Sequence, residues 1–471
     1  MTSLEYFREM CKIPHGSGNT DAISEWFVGF AKEHNLQYVK DSMGNVIIYK
    51  EGSAGRENEE PVILQSHMDM VCVSDDPSID MSKAPLILEN DGEWLWAKNT
   101  TLGADDGIGA AMTLEILADD TISHPPIEAV ITVEEETGMD GAKNLDIKLL
   151  KGKKMLNFDH GVDGSITVGC SGGIKELIDM PCMWEALKDD MSFYRVSISG
   201  LLGGHSGGMI HENRANASRL LARLFYGLSL KMELSVCEFE GGTADNVIPS
   251  EAVAVVAVPS ESAEDFERLT GKHEKLFKME YPNEKGLKLF FEKCEARKTG
   301  VAPSITKKMC RMLSSVPDGM RKKMDEFEDC AQQSSNMGVV RLDEKGLHVI
   351  ILIRSAITEE RQEVADLITP IAEHEGGICS FESEHPGWIY NRESKLITTA
   401  VEAYKALYNK EPSIGATHGS LETGFFAERI EGFDCIAMGP TMEDIHSTRE
   451  RLNLKSIETT YAWVKEILRR I

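Results

Sequence analysis

Five short segments carry the residues that could do chemistry. His67-Met68-Asp69 follows an apolar run at 61–66, and Asp105 and Asp106 stand in Ala104-Asp105-Asp106-Gly107, just ahead of a helical pattern. Glu134-Glu135-Glu136-Thr137-Gly138 closes an apolar run at 127–133, and Asp159-His160-Gly161 closes another at 154–158. His446 lies beyond a third run at 433–438, after Gly439-Pro440-Thr441. Taken singly each segment is weak: one His-x-Asp pair is rarely a ligand pair, and a run of glutamates is usually a solvated turn. Together they are two histidines and several carboxylates. Carboxylates gathered in one place repel one another unless a cation compensates them. Imidazole and carboxylate without thiolate suit zinc or another borderline divalent ion. Three anionic ligands and two neutral imidazoles suit a pair of ions sharing one bridging carboxylate, and ions about 3.5–4 Å apart are usual in hydrolytic sites.

The elements that must position these groups are legible around them. Helical apolar spacing occurs at 4–11, 22–33, 107–117, 396–407 and 454–471, and strands are predicted at 46–49, 61–66, 127–133, 154–158 and 433–438. Alternation of helices with nearly continuous apolar strands predicts an α/β domain, a mostly parallel sheet with helices on both faces. Ligands of open parallel sheets bind at the carboxyl ends of strands, which is where the candidate groups fall. The stretch 186–385 differs. Its strands alternate, as in Phe193-Tyr194-Arg195-Val196-Ser197-Ile198, and charged helices at 262–280 and 307–313 separate them. An inserted α+β domain with antiparallel sheet is expected there. Asn246-Val247-Ile248-Pro249 with the strand at 251–258 resembles Asn336-Met337-Gly338-Val339 with the strand at 346–354, so two related halves of about 100 residues each, short for a domain, would fill the insertion. The domains are then 1–185 with 386–471, and 186–385.

Composition sets outer limits. The chain has 471 residues, 50 Lys+Arg and 77 Asp+Glu, a net charge of −27. Such a surface repels phosphates and argues against nucleic-acid or anionic-membrane binding. Of this charge, −20 lies outside 186–385, on the part that carries the candidate ligands. Glu5, Arg8, Glu9 and Lys12 interrupt the N-terminal stretch, so no secretory signal is visible, and the longest apolar run, at 252–258, is far too short to span a membrane. The ten cysteines include no C-x-x-C pair, which suggests reduced thiols in a cytoplasmic protein. Cys72 lies five residues after His67, but Val71 and Val73 flank it, and it reads as a packed thiol.

In this order the motifs resemble the di-zinc metallopeptidase family of aminoacylase, the glutamate carboxypeptidases and carnosinase. The segments closest to its aminoacyl-histidine dipeptidase branch are Thr101-Leu102-Gly103-Ala104-Asp105, Glu135-Glu136-Thr137-Gly138-Met139-Asp140-Gly141-Ala142, Val168-Gly169-Cys170-Ser171-Gly172-Gly173, Gly203-Gly204-His205-Ser206-Gly207-Gly208 and Gly241-Gly242-Thr243-Ala244-Asp245-Asn246-Val247-Ile248-Pro249. The resemblance runs the length of the chain. It implies that His67, Asp105 and Asp159 hold one metal and Asp105, Glu136 and His446 the other, with a cis Asp105–Asp106 peptide. It makes Glu135 the general base and has Asp69 orient the His67 ring. The family spacing passes over Glu134. Asp106 stands where close relatives often have Asn, which adds a charge beside the site.

The same resemblance makes the insertion a lid. His205 would stabilise the oxyanion, Asn246 would bind substrate, and Arg354 would dock the free carboxylate of a dipeptide. His418 and Gly419 would line the substrate pocket. The implied reaction is hydrolysis of Xaa-His and other small dipeptides by water activated between two divalent metals, zinc in first place, with manganese and cobalt also suited to the ligand set. An N-acyl amino acid deacylase or a tripeptide aminopeptidase shares the ligand set. A non-catalytic peptide-binding protein would have lost the base or a ligand, and none is missing. His205 and Asn246 fall in one half of the insertion and Arg354 in the other, so a monomer is expected to be catalytically complete even if a homodimer forms.

Overall fold

The computed structural model describes residues 1–471. It divides into two compact units, Met1–Cys170 with Trp388–Ala416 and Leu421–Ile471, and Ser171–Gly387 with Thr417–Ser420. These limits differ from a division at 185 and 385. The reason is the strand Gly172–Pro181, which pairs along its length with Gly346–Ser355, from Gly172 opposite Ser355 to Pro181 opposite Gly346. Its backbone hydrogen bonds therefore belong to the second unit's sheet.

The first unit is built on an eight-stranded sheet in the order Gln37–Lys40, Val46–Lys50, Ile127–Thr132, Val62–His67, Lys154–Asn157, Asp434–Ala437, Ser165–Cys170, Ser413–Thr417. The four middle strands, from Ile127–Thr132 to Asp434–Ala437, run parallel. The pairings at Val46–Lys50 and Ser165–Cys170 are antiparallel. The central strand Val62–His67 is buried at every position, as expected for a parallel strand covered on both faces. Ile47, Ile63, Val130 and Met155 form one cluster with Ala142, Phe425 and Phe426. The helix Ala104–Ala118 is buried on nearly all sides, and an all-round apolar helix has to be an interior one. A small sheet of Leu88–Asn90, Trp94–Ala97, Arg451–Asn453 and Met442–Glu443 escaped the sequence reading, because strands this short carry no periodicity. No helix is long and apolar enough to cross a membrane.

The second unit has an antiparallel sheet whose order reveals its two halves. Across it run Lys288–Lys293, Met191–Ser199, Ala252–Pro259 and Ser235–Gly241, then Ala331–Leu342, Gly346–Ser355, Gly172–Pro181 and Ile378–His385. Each half is strand, helix, strand, strand, helix, strand. The helices are Ala217–Ser229 and Ala263–Glu280 in one half, Pro303–Ser315 and Thr358–Glu375 in the other. The sheet orders of the halves mirror each other about the join where Gly241 faces Val340. The halves are interleaved rather than consecutive: one complete half is inserted between the first strand and first helix of the other. Ala252–Pro259 and Gly346–Ser355 occupy equivalent places, in line with the sequence match, whereas Asn246 lies in a turn and Asn336 lies inside a strand. Alternate residues Tyr194, Val196, Ile198, Ala254, Val256 and Val258 join the helices in one core. Phe193, Val255 and Ala257 face the other way, the two-residue period of a strand.

The join depends on two glycines. Gly338 is the extra residue of a bulge between Met337 and Val339, and a Cβ there would lie 2.5 Å from the carbonyl oxygens of both Ala244 and Asp245. Gly242, at φ +74°, meets the Gly338 carbonyl from the other side. The segment 241–246 thus lies directly on the bulge. The Asn336 side chain holds it there by donating to Asp245 O at 2.7 Å and Val247 O at 2.9 Å. Gly338→Ala has only backbone atoms to push against, so it is expected to cost about 1–3 kcal/mol and to displace Asn246. Chemical denaturation together with amide chemical shifts of 241–247 would show both effects.

Candidate metal centre

The parallel strands deliver the candidate groups to one end of the first unit's sheet. His67 is the last residue of its strand, paired opposite Thr132, and Gln65 of the same strand pairs opposite Asn157. Glu135 and Glu136 therefore follow just beyond one neighbour and Asp159 just beyond the other. Asp105 and Asp106 open the helix Ala104–Ala118 with non-helical backbone, and the peptide between them is cis. Glu134 and His446 sit at φ +59° and +61°, in the left-handed region that few non-glycine residues adopt.

Three groups of ligand atoms come together, each within 4.8 Å: His67, Asp105 and Asp159; Asp105, Glu136 and His446; and His67, Glu135 and Glu136. Asp105 stands between the first two. Its Oδ1 lies 3.4 Å from His67 Nε2 and its Oδ2 lies 3.3 Å from His446 Nε2. Glu136 Oε1 is 3.0 Å from His446 Nε2. Ligand atoms 2.0–2.1 Å from a tetrahedral ion stand about 3.3–3.4 Å apart, so the Asp105–histidine spacings suit a shared ion on each side. The donor set is oxygen and imidazole nitrogen, Asp105 Oδ1 is buried without a hydrogen-bond partner, and no thiol belongs to any group. These residues fit a pair of divalent ions.

The electrostatics point the same way. Burial pushes Glu135 well above the ordinary carboxylate range, and the Asp159 and Glu136 carboxylates add to it. Burial does the same to Asp159, with Asp105 adding. Asp106 is also raised well above its usual range, by burial first and then by Asp159 and Asp105. Burial opposes ionisation of Asp105, but the facing His446 and His67 imidazoles outweigh it and hold Asp105 below its usual range. The Asp105 and Glu136 carboxylates, which accept from the protonated ring, push His446 up to about 11. For His67 burial works against the charge, and Asp105, Asp69 and Glu135 overcome it. The anionic cluster thus holds protons that a cation would displace.

Around this cluster Asp69 does two jobs. Its backbone carbonyl accepts from His67 Nδ1 at 3.0 Å, leaving Nε2 turned to Asp105. Its carboxylate, 3.6 Å from the ring, instead accepts the backbone N–H groups of Glu135 and Glu136 at 3.0 and 3.3 Å and the Ser17 hydroxyl at 2.8 Å. Glu134 turns away to accept from Gly18 N at 2.7 Å, which leaves Glu135 and Glu136 to face the ligands. Ser17 and Gly18 escaped the sequence reading, and the Gly/Ser-rich loop that carries them was the only available signal. A further buried carboxyl, Glu422, accepts from Gln65 Nε2 at 2.6 Å and Thr132 Oγ1 at 2.5 Å. Burial pushes it up to about 7. Cys72 is exposed.

The second unit gathers the other candidates. Gly204–His205 pairs with Val247–Ile248, and Ser206 N donates to Asn246 O at 2.8 Å, so His205 and Asn246 are brought side by side. A Cβ on Gly207 would stand 2.8 Å from the His205 ring and 3.0 Å from Gly419 Cα. Arg354 NH1 donates to Ser420 Oγ at 3.0 Å. The segment 417–420 thus links His205 of one half to Arg354 of the other. His418 differs from the expectation of a pocket-lining group. It is 3% exposed, and its ring nitrogens are both engaged, by Ser171 at 2.8 Å and Ser334 at 2.7 Å. Burial and Arg354 push it down to about 3. It is a neutral internal strut, and Gly419 is the member of the pair left at the surface of the segment.

The fold and cluster define a peptidase class. Residues 63–470 match the model of the peptidase family M20/M25/M40, and the chain belongs to that family. Over 469 residues it is 33% identical to the cytosol non-specific dipeptidase of Escherichia coli strain K12, spanning 99% of this chain and 97% of that one. The crystal structure of the aminoacylhistidine dipeptidase from Vibrio alginolyticus matches with a TM-score of 0.90 at 33% identity, over 100% of this chain and 96% of that one. A tripeptidase from Staphylococcus aureus matches at a TM-score of 0.56 and 18% identity, over 99% and 97% of the two chains, a likeness of fold alone.

Proposed function

We propose that this peptidase is a cytoplasmic, two-metal dipeptidase acting on Xaa-His and other small dipeptides. The observation that carries the reading is the Asp105 carboxylate, with one oxygen toward each histidine. His67, Asp105 and Asp159 would hold one ion, and Asp105, Glu136 and His446 the other, with zinc the first choice and manganese or cobalt compatible. Ions bound there supply Lewis acidity, polarising a carbonyl and lowering the pKa of water. Glu135 takes the proton of the attacking water and returns it to the leaving amine, a role suited to a carboxylate whose proton affinity is raised by burial. Asp69 keeps the His67 ring and the Glu135–Glu136 amides in place. His205 donates to the developing oxyanion, Asn246 holds the substrate beside it, and Arg354 receives the dipeptide's carboxylate.

The test is an apoprotein loaded in turn with zinc, manganese and cobalt and assayed on β-alanyl-histidine, other dipeptides, an N-acetylated amino acid and a tripeptide. Cleavage confined to the acetylated amino acid or the tripeptide would overturn the substrate assignment. Arg354→Met is expected to raise KM for dipeptides about 10–100-fold, the equivalent of one hydrogen-bonded charge, with metal content unchanged. Because one chain gathers His205 and Arg354 on the segment 417–420, we also propose that a monomer is catalytically complete. Specific activity should stay constant on dilution through any dimer dissociation, and a fall that tracks dissociation would refute it.

A further inference from the structure

One buried carboxylate of the first unit takes no part as ligand or base. Glu450 is 2% exposed. Its Oε2 accepts the backbone N–H groups of Leu102 at 2.8 Å and Gly103 at 3.1 Å, and its Oε1 accepts that of Ala104 at 2.8 Å. Three successive amides converge on one carboxylate because Gly103 turns at φ +68°, the geometry of an anion-binding nest. A side chain at 103 would be strained at that φ and would have to displace Met70, whose Sδ would lie 2.7 Å from its Cβ. A buried anion beside other carboxylates is unfavourable unless donors satisfy it, and here both oxygens are satisfied.

The position of this clamp gives it a consequence. Asp105 is the next residue after the three amides, and His446 lies one short turn before Glu450, closed by Glu450 N donating to Ser447 O at 3.0 Å. The strand Arg451–Asn453, paired with Trp94–Ala97, and the helix Leu454–Arg470 anchor the far side. We infer that Glu450 is a positioning residue: it ties the turn bearing Asp105 to the segment bearing His446 and so sets the spacing of these two ligands before metal arrives.

The inference rests on reading the cluster as a metal centre, and the experiment separates the two. Apo forms of the parent, Glu450→Gln and Val464→Ala are titrated with Co2+, read by visible absorption and by bound stoichiometry. Val464 is fully buried in the helix Leu454–Arg470, so its truncation is a control for lost stability alone. A parent that binds no Co2+ would overturn the metal centre itself. If the parent takes two ions, Glu450→Gln is expected to keep one and to bind the second about 10–100-fold more weakly, the usual effect of removing an outer partner of a ligand. Val464→Ala should keep both. Two ions bound at parental affinity by Glu450→Gln, or the same loss in Val464→Ala, would overturn the clamp. Hydrogen exchange on the parent adds a measurement that needs no variant. Amides 102–104 are expected to be protected in the apoprotein, and free exchange there beside a protected sheet would equally overturn it.

Discussion

Glu135→Gln is expected to bind metal as the parent does and to cleave dipeptides about 1,000-fold more slowly, within the range for loss of a general base. The amide keeps the size of the carboxyl and leaves the backbone N–H to Asp69 Oδ1 intact, so the turn carrying Glu136 should not move. What it loses is the ability to accept a proton from water. Because the base must be ionised, parental kcat/KM should fall as pH drops through the Glu135 titration. The variant should lose that acid limb. Parental rates with full metal content in the variant would remove Glu135 from the mechanism.

Asp105→Ala should have the broader effect, because it deletes an oxygen from both triads at once. Affinity at each position is expected to fall by more than the roughly 100-fold that marks loss of an outer partner, and activity should drop to background. Metal analysis after gel filtration would show it, and retention of both ions would refute the bridging role. The parent's own binding should depend on pH with a definite sign. His446, raised to about 11, and His67, raised by its carboxylate neighbours, hold protons at neutral pH that ligation must remove. Affinity should therefore increase with pH, and calorimetry in buffers of different ionisation enthalpy should detect proton release on binding. Uptake of protons, or no exchange, would contradict the ligand assignment.

Much of the candidate ligand set was legible because His67, Glu135, Glu136 and Asp159 stand at or just beyond the ends of strands, and strands announce themselves by local apolar runs. Parallel pairing then leaves their ends only one place to go. The glutamate triplet was ambiguous in type and spacing alone. The structure separates Glu134 by a left-handed backbone and a bond to Gly18, neither of which composition encodes. His418 was expected in the substrate pocket by resemblance alone. Its burial between Ser171 and Ser334 depends on two segments remote in sequence. The repeat was visible in the equivalent strands at 252–259 and 346–355, but not its interleaving, since Gly172–Pro181 carries no mark of which sheet it will join.

By itself, then, the sequence determined the α/β class, the strand-end ligands and the presence of a second unit, all properties set by short-range periodicity and residue chemistry. The tertiary structure decided how Asp105 stands between His67 and His446, how Asp69 divides its hydrogen bonds, where the units part and that Glu450 meets the amides of 102–104. Those outcomes rest on hydrogen bonds between segments far apart in the chain. Such bonds form only after the sheet has brought the segments together, and no local pattern of residues anticipates them.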